Sequence, residues 1–230
     1  GTLQGYICNS RPRRFGKSIT ANMLTAYYSK GSNSEEMFSG LEISRSSDFH
    51  RHLNKYDVID LDIQWCMETA GGPEKVVPYI SEKTIAELAE YYPVLAKART
   101  QSLPEALSFL HAETGVKFVV IIDEWDVLIR DEASNQRAQE EYIAFLRGLF
   151  KGTEPTKYLQ LAYLTGILPI KKERTQSALN NFQEYSMLSA GPLASYVGFT
   201  EEEVKNLCVQ YGRSFESVRG CHAPVLGRQG

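Results

Sequence analysis

The chain lacks any apolar stretch long enough to span a bilayer, which takes about 20 consecutive apolar residues, so a helical membrane protein is excluded. It has only four cysteines, Cys8, Cys66, Cys208 and Cys221, widely scattered. That spacing gives neither a metal-ligand set nor the disulfide framework of a small secreted domain. Net charge is also scarce: 25 Lys and Arg stand against 28 Asp and Glu, a balance of −3, which does not mark a nucleic-acid binder. Histidines are few, and His50 and His52 lie at i, i+2 on an expected helix, the wrong spacing for a shared metal. No segment of signal-peptide type is visible and no internal repeat occurs, so a reducing cytoplasm is the expected location. Against these absences, 43% of the 230 residues are hydrophobic, enough for one sizeable core.

The most informative segment also lacks something. Arg11-Pro12-Arg13-Arg14-Phe15-Gly16-Lys17-Ser18 ends as a phosphate-binding loop does, in Gly-Lys-Ser, but Arg11 stands where such a loop opens with glycine. The context is the one the motif needs. Leu3–Cys8 reads as a short strand, and Ile19, Met23, Ala26 and Tyr27 recur at helical spacing downstream. Backbone N–H groups and a helix N-terminus would then face the phosphates. Lys17 would reach the β- and γ-phosphates, the Ser18 hydroxyl would ligate Mg²⁺, and Gly16 would let the backbone approach closely. The alternative is that Gly-Lys-Ser merely starts a surface helix.

A second segment answers that alternative. Lys117–Ile122 is a continuous apolar run followed by Asp123-Glu124, as expected of a central parallel strand with carboxylates at its C-terminal end. Asp123 can hold Mg²⁺ and Glu124 can polarise an attacking water. Tyr158–Gly166 is another buried-strand pattern, ending at Thr165, a candidate sensor of the γ-phosphate; Thr-Gly is equally a routine strand exit. In additional-strand P-loop ATPases this strand lies between the loop strand and the acidic strand. Arg13 and Arg14 stand as candidate nucleotide contacts, with surface ion pairing as the alternative, and Phe15 and Ile19 flank the loop. Lys171 and Arg174 could point cations at the γ-phosphate or could form a solvated turn. Asp60 and Asp62 share one face of the second strand, and neither they nor Asp126 receives a role.

Elements alternate along the chain. Strands are expected over Thr2–Asn9, Val58–Ile63, Lys117–Glu124, Tyr158–Gly166 and Phe182–Leu188. Helices are expected over Lys17–Ser29, from an N-cap at Ser34 to Phe38, over Asp48–Lys55, after Gly71-Gly72-Pro73, over Leu103–Glu113 and Ser134–Phe150, and from Thr200 onward. The expected fold is therefore α/β, a parallel sheet of about five strands sandwiched by helices.

These motifs resemble the predicted AAA-ATPase-like family of mostly bacterial P-loop proteins. The carrying residues are Ser10–Ser18, Ile122-Asp123-Glu124-Trp125-Asp126, Leu164-Thr165-Gly166-Ile167, Ser177–Asn181 and Val197–Val204. The resemblance covers about Tyr6 to Val218. It implies the additional-strand class of P-loop NTPase, with ATP bound at Lys17 and Ser18 and Asp123 and Glu124 as metal and water residues. It makes Arg-Pro-Arg-Arg the family's own form of the loop. Many members carry a restriction-endonuclease-like domain further on, and Trp125 stands where tyrosine is usual. On this basis residues 1–198 are expected to form the ATPase core and 199–219 the start of a truncated helical lid, with 220–230 a poorly ordered tail. The expected function is Mg²⁺-dependent ATP hydrolysis coupled to a homo-oligomer partner or a fused domain. The rival is a nucleotide-dependent switch or scaffold with little turnover, possibly nucleic-acid associated.

Overall fold

The structure, a computed structural model, describes residues 5–131, 135–170, 179–187, 189, 191–193 and 199–222. Five strands, β1 (Tyr6–Ser10), β2 (Asp57–Asp62), β3 (Phe118–Asp123), β4 (Leu159–Gly166) and β5 (Gln183–Ser186), form one sheet in the order β2-β3-β4-β1-β5. Every pairing is parallel. The β4 strand is inserted between β1 and β3, so the loop strand and the acidic strand are not neighbours, as expected from the additional-strand pattern. All five C-terminal ends therefore lie at one edge, where open α/β sheets bind ligands.

Among the described residues, α-helices connect and flank these strands: α1 (Lys17–Tyr28), α2 (Glu35–Phe38), α3 (Phe49–His52), α4 (Ile63–Ala70), α5 (Val76–Tyr91), α6 (Leu103–Thr114), α7 (Val127–Asp131), α8 (Gln136–Phe150) and α9 (Thr153–Tyr158). Strand alternation divides their packing. On one face Val119, Ile121 and Tyr163 meet Ala21 of α1. On the other, Cys8, Phe118, Val120, Ile122, Ala162 and Leu164 meet α5, α6 and α8 through Ile80, Leu107, Leu110, Tyr142, Leu146 and Phe150. The β3 strand is buried at every position, which explains why its sequence runs apolar without alternation.

Several local expectations are corrected. Ile63 is not the end of β2 but the first residue of α4, because the Asp62 carboxylate accepts from Trp65 N and turns the chain into a helix. Ser34 does precede α2, yet its hydroxyl makes no cap and instead donates to the Ala26 carbonyl at the end of α1. The Asp48–Lys55 helix is a single turn at Phe49–His52, ended where Asn54 takes a left-handed φ of 54° and donates to the Ala26 and Ser29 carbonyls. Thr200 does open a helix, Glu201–Gln210, with a full capping box to Glu203. A further helix, Phe215–His222, crosses the boundary drawn at residue 220. Lys171, Arg174, Ser177, Ser134 and Val197 lie outside the described residues.

The turn after β3 and the turn after β4 are packed without slack. Trp125 N donates to Thr165 O at 3.1 Å, and a Cβ on Gly166 would sit 2.6 Å from Asp126 Oδ1 and 2.7 Å from the Trp125 indole. The substitution Gly166→Ala is expected to cost about 1–3 kcal/mol, as overpacked sites do, measured as a lowered urea midpoint. An unchanged midpoint would show that the two turns can part freely.

Candidate functional site

The loop between β1 and α1 has the backbone of an anion-binding nest. Left-handed φ values recur at Arg14 (69°) and Gly16 (74°), on either side of Phe15. Such alternation turns successive N–H groups toward one centre. Gly16 is the N-cap of α1 and makes no side-chain cap bond to the helix's first N–H groups. The dipole of this 12-residue helix favours negative charge at that end. Lys17 is only 5% exposed, and its Nζ folds back to donate to the Pro12 carbonyl at 3.1 Å. Its charge is thus held inside the loop that carries it.

The carboxylates of β3 meet this loop. The Ser18 hydroxyl and the Lys17 charge both act on the Asp123 carboxylate, and Lys17 acts on Glu124 as well. Burial raises the Asp123 pKa above its ordinary 3.8, offset in part by the Ser18 hydroxyl and by the Glu124 N–H that donates to Oδ1 at 2.9 Å. Burial likewise raises Glu124 above 4.5, against the pull of Lys17 and Arg130. Glu124 has a φ of 50°, a left-handed conformation that a side-chain-bearing residue holds at a cost of about 1–3 kcal/mol. Its Oε2 accepts from Arg130 Nη2 at 2.8 Å. Arg130 Nε also lies 3.5 Å from Asp126 Oδ2, which takes the N–H groups of Ile167 (3.1 Å) and Leu168 (2.7 Å).

Other expected residues fall around this centre. Thr165 pairs with Asn9 across β4 and β1; it is fully buried and its Oγ1 has no hydrogen-bond partner. Arg13, Arg14, Ser18 and Ile19 are exposed and Phe15 is half-buried. Neither Arg13 nor Arg14 forms an ion pair with another described residue.

Sequence reasoning missed Asp62, Asp126, Arg130 and the burial of Arg11. Asp62 is in register with Asp123 on the neighbouring strand, and its negative charge adds to the rise in the Asp123 pKa. Asp60, two residues earlier on the same face, accepts from Thr25 of α1 at 3.0 Å. The signal for Arg130 was present: an acid and an arginine at i, i+4 on a helix, Asp126 and Arg130, pair readily.

A helix opened by the loop, a buried lysine folded onto that loop and carboxylates at the end of β3, set on a parallel sheet with β4 inserted, are consistent with a P-loop NTPase-like fold. A model of the family described as Predicted AAA-ATPase matches residues 3–175, three quarters of the chain, and the chain belongs to that family. It is also 27% identical over 201 residues to an uncharacterized protein in the vnfD 5' region of Azotobacter chroococcum mcd 1. That match covers 85% of this chain and 36% of the relative, so the chain spans little more than a third of the relative's length. Among the described residues, no helix is long and apolar enough to cross a membrane.

The raised carboxyl values have a signed consequence. The native state holds protons on Asp123 and Glu124 at pH values where the unfolded chain has lost them, so their contribution to stability is full below about pH 4 and is lost as pH rises through the folded values. Asparagine at 123 keeps an acceptor for Glu124 N and cannot ionise. Asp123→Asn is therefore expected to gain stability relative to the native chain between about pH 4 and neutrality, read from paired urea midpoints. A difference independent of pH would contradict the burial account.

Proposed function

We propose that the domain binds ATP with Mg²⁺ in the β1–α1 loop and hydrolyses it, coupling the change to a partner or to another part of the same polypeptide. The observation that carries the reading is the closure of the loop on its own lysine, Lys17 Nζ to Pro12 O at 3.1 Å, with the Lys17 charge acting on the strand-end carboxylates Asp123 and Glu124. A phosphate chain entering the nest would replace the Pro12 carbonyl as the acceptor for Lys17. The α1 N–H groups and Gly16 would take the inner phosphates. Arg13, Arg14, Phe15 and Ile19 line the exposed rim, where the nucleoside would lie.

Ser18 and Asp123 supply two hard oxygen donors, too few for an all-protein cage; among the described residues no cluster of three or more His, Cys, Asp or Glu could hold a metal ion. A pair of this kind suits Mg²⁺, which is usually held by one or two carboxylates plus the phosphates themselves. The ion would supply charge neutralisation at the β- and γ-oxygens. Glu124 would orient the attacking water through the oxygen that Arg130 does not hold, and Thr165 would donate to the γ-phosphate. The helices from Thr200 onward would serve as the beginning of a lid over residues 1–198.

One observation favours a second reading, a nucleotide-dependent switch with little turnover. An ion pair with Arg130 engages Glu124. Steady-state ATPase measured with and without DNA discriminates: saturable binding with negligible turnover in both conditions favours the switch. For the hydrolytic reading, Lys17→Ala is expected to abolish ATP binding. Glu124→Gln should keep binding and lower turnover by about 100-fold or more. Unchanged hydrolysis in both variants would sink the assignment.

A further inference from the structure

Arg11 occupies the position where a phosphate loop ordinarily has glycine, and it has no role in the reading above, on which the present inference rests. It is 2% exposed. Its backbone N–H extends the β1–β4 ladder by one bond, to Gly166 O at 3.0 Å. Asn9 and Arg11 are two residues apart, on the face that carries Tyr163 and Thr165; Asn9 Nδ2 donates to the Tyr163 hydroxyl at 3.1 Å, and Arg11 feels the Tyr163 oxygen electrostatically. Arg11 Nη1 is buried and has no hydrogen-bond partner, and no carboxylate among the described residues forms an ion pair with it. By contrast, the other buried arginine of the site, Arg130, is neutralised by Glu124 and Asp126.

A guanidinium cannot escape such a place by losing its proton. A buried charge without a counter-charge is strongly destabilising, so its retention calls for an anion that arrives from outside. A second unpartnered group lies on the neighbouring strand. Thr165 Oγ1, fully buried at the end of β4, is without a hydrogen-bond partner among the described residues, and Thr165 is in register with Asn9, two residues before Arg11. β4 lies between the loop strand and the acidic strand, so Thr165 stands between the loop that Arg11 opens and the carboxylates that would serve the outer phosphate.

We propose that Arg11 is a phosphate-binding residue whose guanidinium, with the Thr165 hydroxyl, receives the terminal phosphoryl group of a nucleoside triphosphate. The loop thus replaces the usual glycine with a cation that distinguishes triphosphate from diphosphate. Its own burial keeps the guanidinium dry, where a charged hydrogen bond discriminates most strongly.

The test is the ratio of ATP to ADP affinity, measured by calorimetry on the intact chain with Mg²⁺, for the native protein, Arg11→Met, Arg11→Lys and Lys17→Ala. Methionine fills the space without the charge, so ligand-free Arg11→Met should melt no lower than the native protein. Its ATP affinity should fall by about 10- to 100-fold while its ADP affinity stays within about twofold, the loss expected for a charged hydrogen bond made to one nucleotide alone. Arg11→Lys, which keeps the charge and loses the planar fork, should fall between. Lys17→Ala should lose both nucleotides. ATP and ADP weakened equally in Arg11→Met, or neither weakened, would overturn the role of Arg11 while leaving the nucleotide site intact. A native protein that binds neither nucleotide would overturn both.

Discussion

Asp126 is the constraint on which the site depends. Its carboxylate is wholly buried; Oδ2 accepts from two backbone N–H groups after β4 and has Arg130 as its counter-charge, while Oδ1 has no hydrogen-bond partner among the described residues. The turn leaving β3 is thereby fixed against the turn leaving β4. Trp125 is held from both sides, by its N–H on Thr165 and by Tyr142 donating to its carbonyl at 2.9 Å. Breaking one half of such a buried pair typically costs about 3–5 kcal/mol, because the remaining charge is left stranded. The same arginine reaches Glu124, so the group that stabilises the framework also orients the acid at the strand end.

That framework explains why the nucleotide loop can be unusual. A parallel sheet with β4 inserted brings three distant segments, Lys17-Ser18, Asp123-Glu124 and Thr165, to one edge. Membership of the Predicted AAA-ATPase family agrees with this architecture. The nest itself needs only the left-handed positions at Arg14 and Gly16 and a free helix N-terminus. The first position of the loop is then open to a residue other than glycine, and Arg11 fits there because its side chain turns onto the sheet.

Much of the fold was legible because its signals are local. The β3 run is apolar at every position, and that pattern belongs to a strand covered on both faces. The helices beginning at Lys17 and after Thr200 were equally clear. Ile63 was misread because a β-branched residue after a strand reads as more strand; what ends β2 is a side-chain bond, Asp62 to Trp65 N. At the site, the residue types of the phosphate loop and of Asp123-Glu124 were readable. The network behind them was not, since Asp126 acquires its meaning only from backbone groups 41 and 42 residues away. Nor could Arg11 be told from its neighbours Arg13 and Arg14: three arginines in four residues look alike until one is buried and two are exposed.

The most direct measurement is a structure of the chain with a non-hydrolysable ATP analogue and Mg²⁺. The account predicts that Lys17 Nζ leaves the Pro12 carbonyl, now 3.1 Å away, for the β- and γ-phosphate oxygens, while Ser18 and Asp123 flank the metal. A nucleotide bound elsewhere, or a Lys17 still folded onto Pro12 beside an occupied loop, would contradict it.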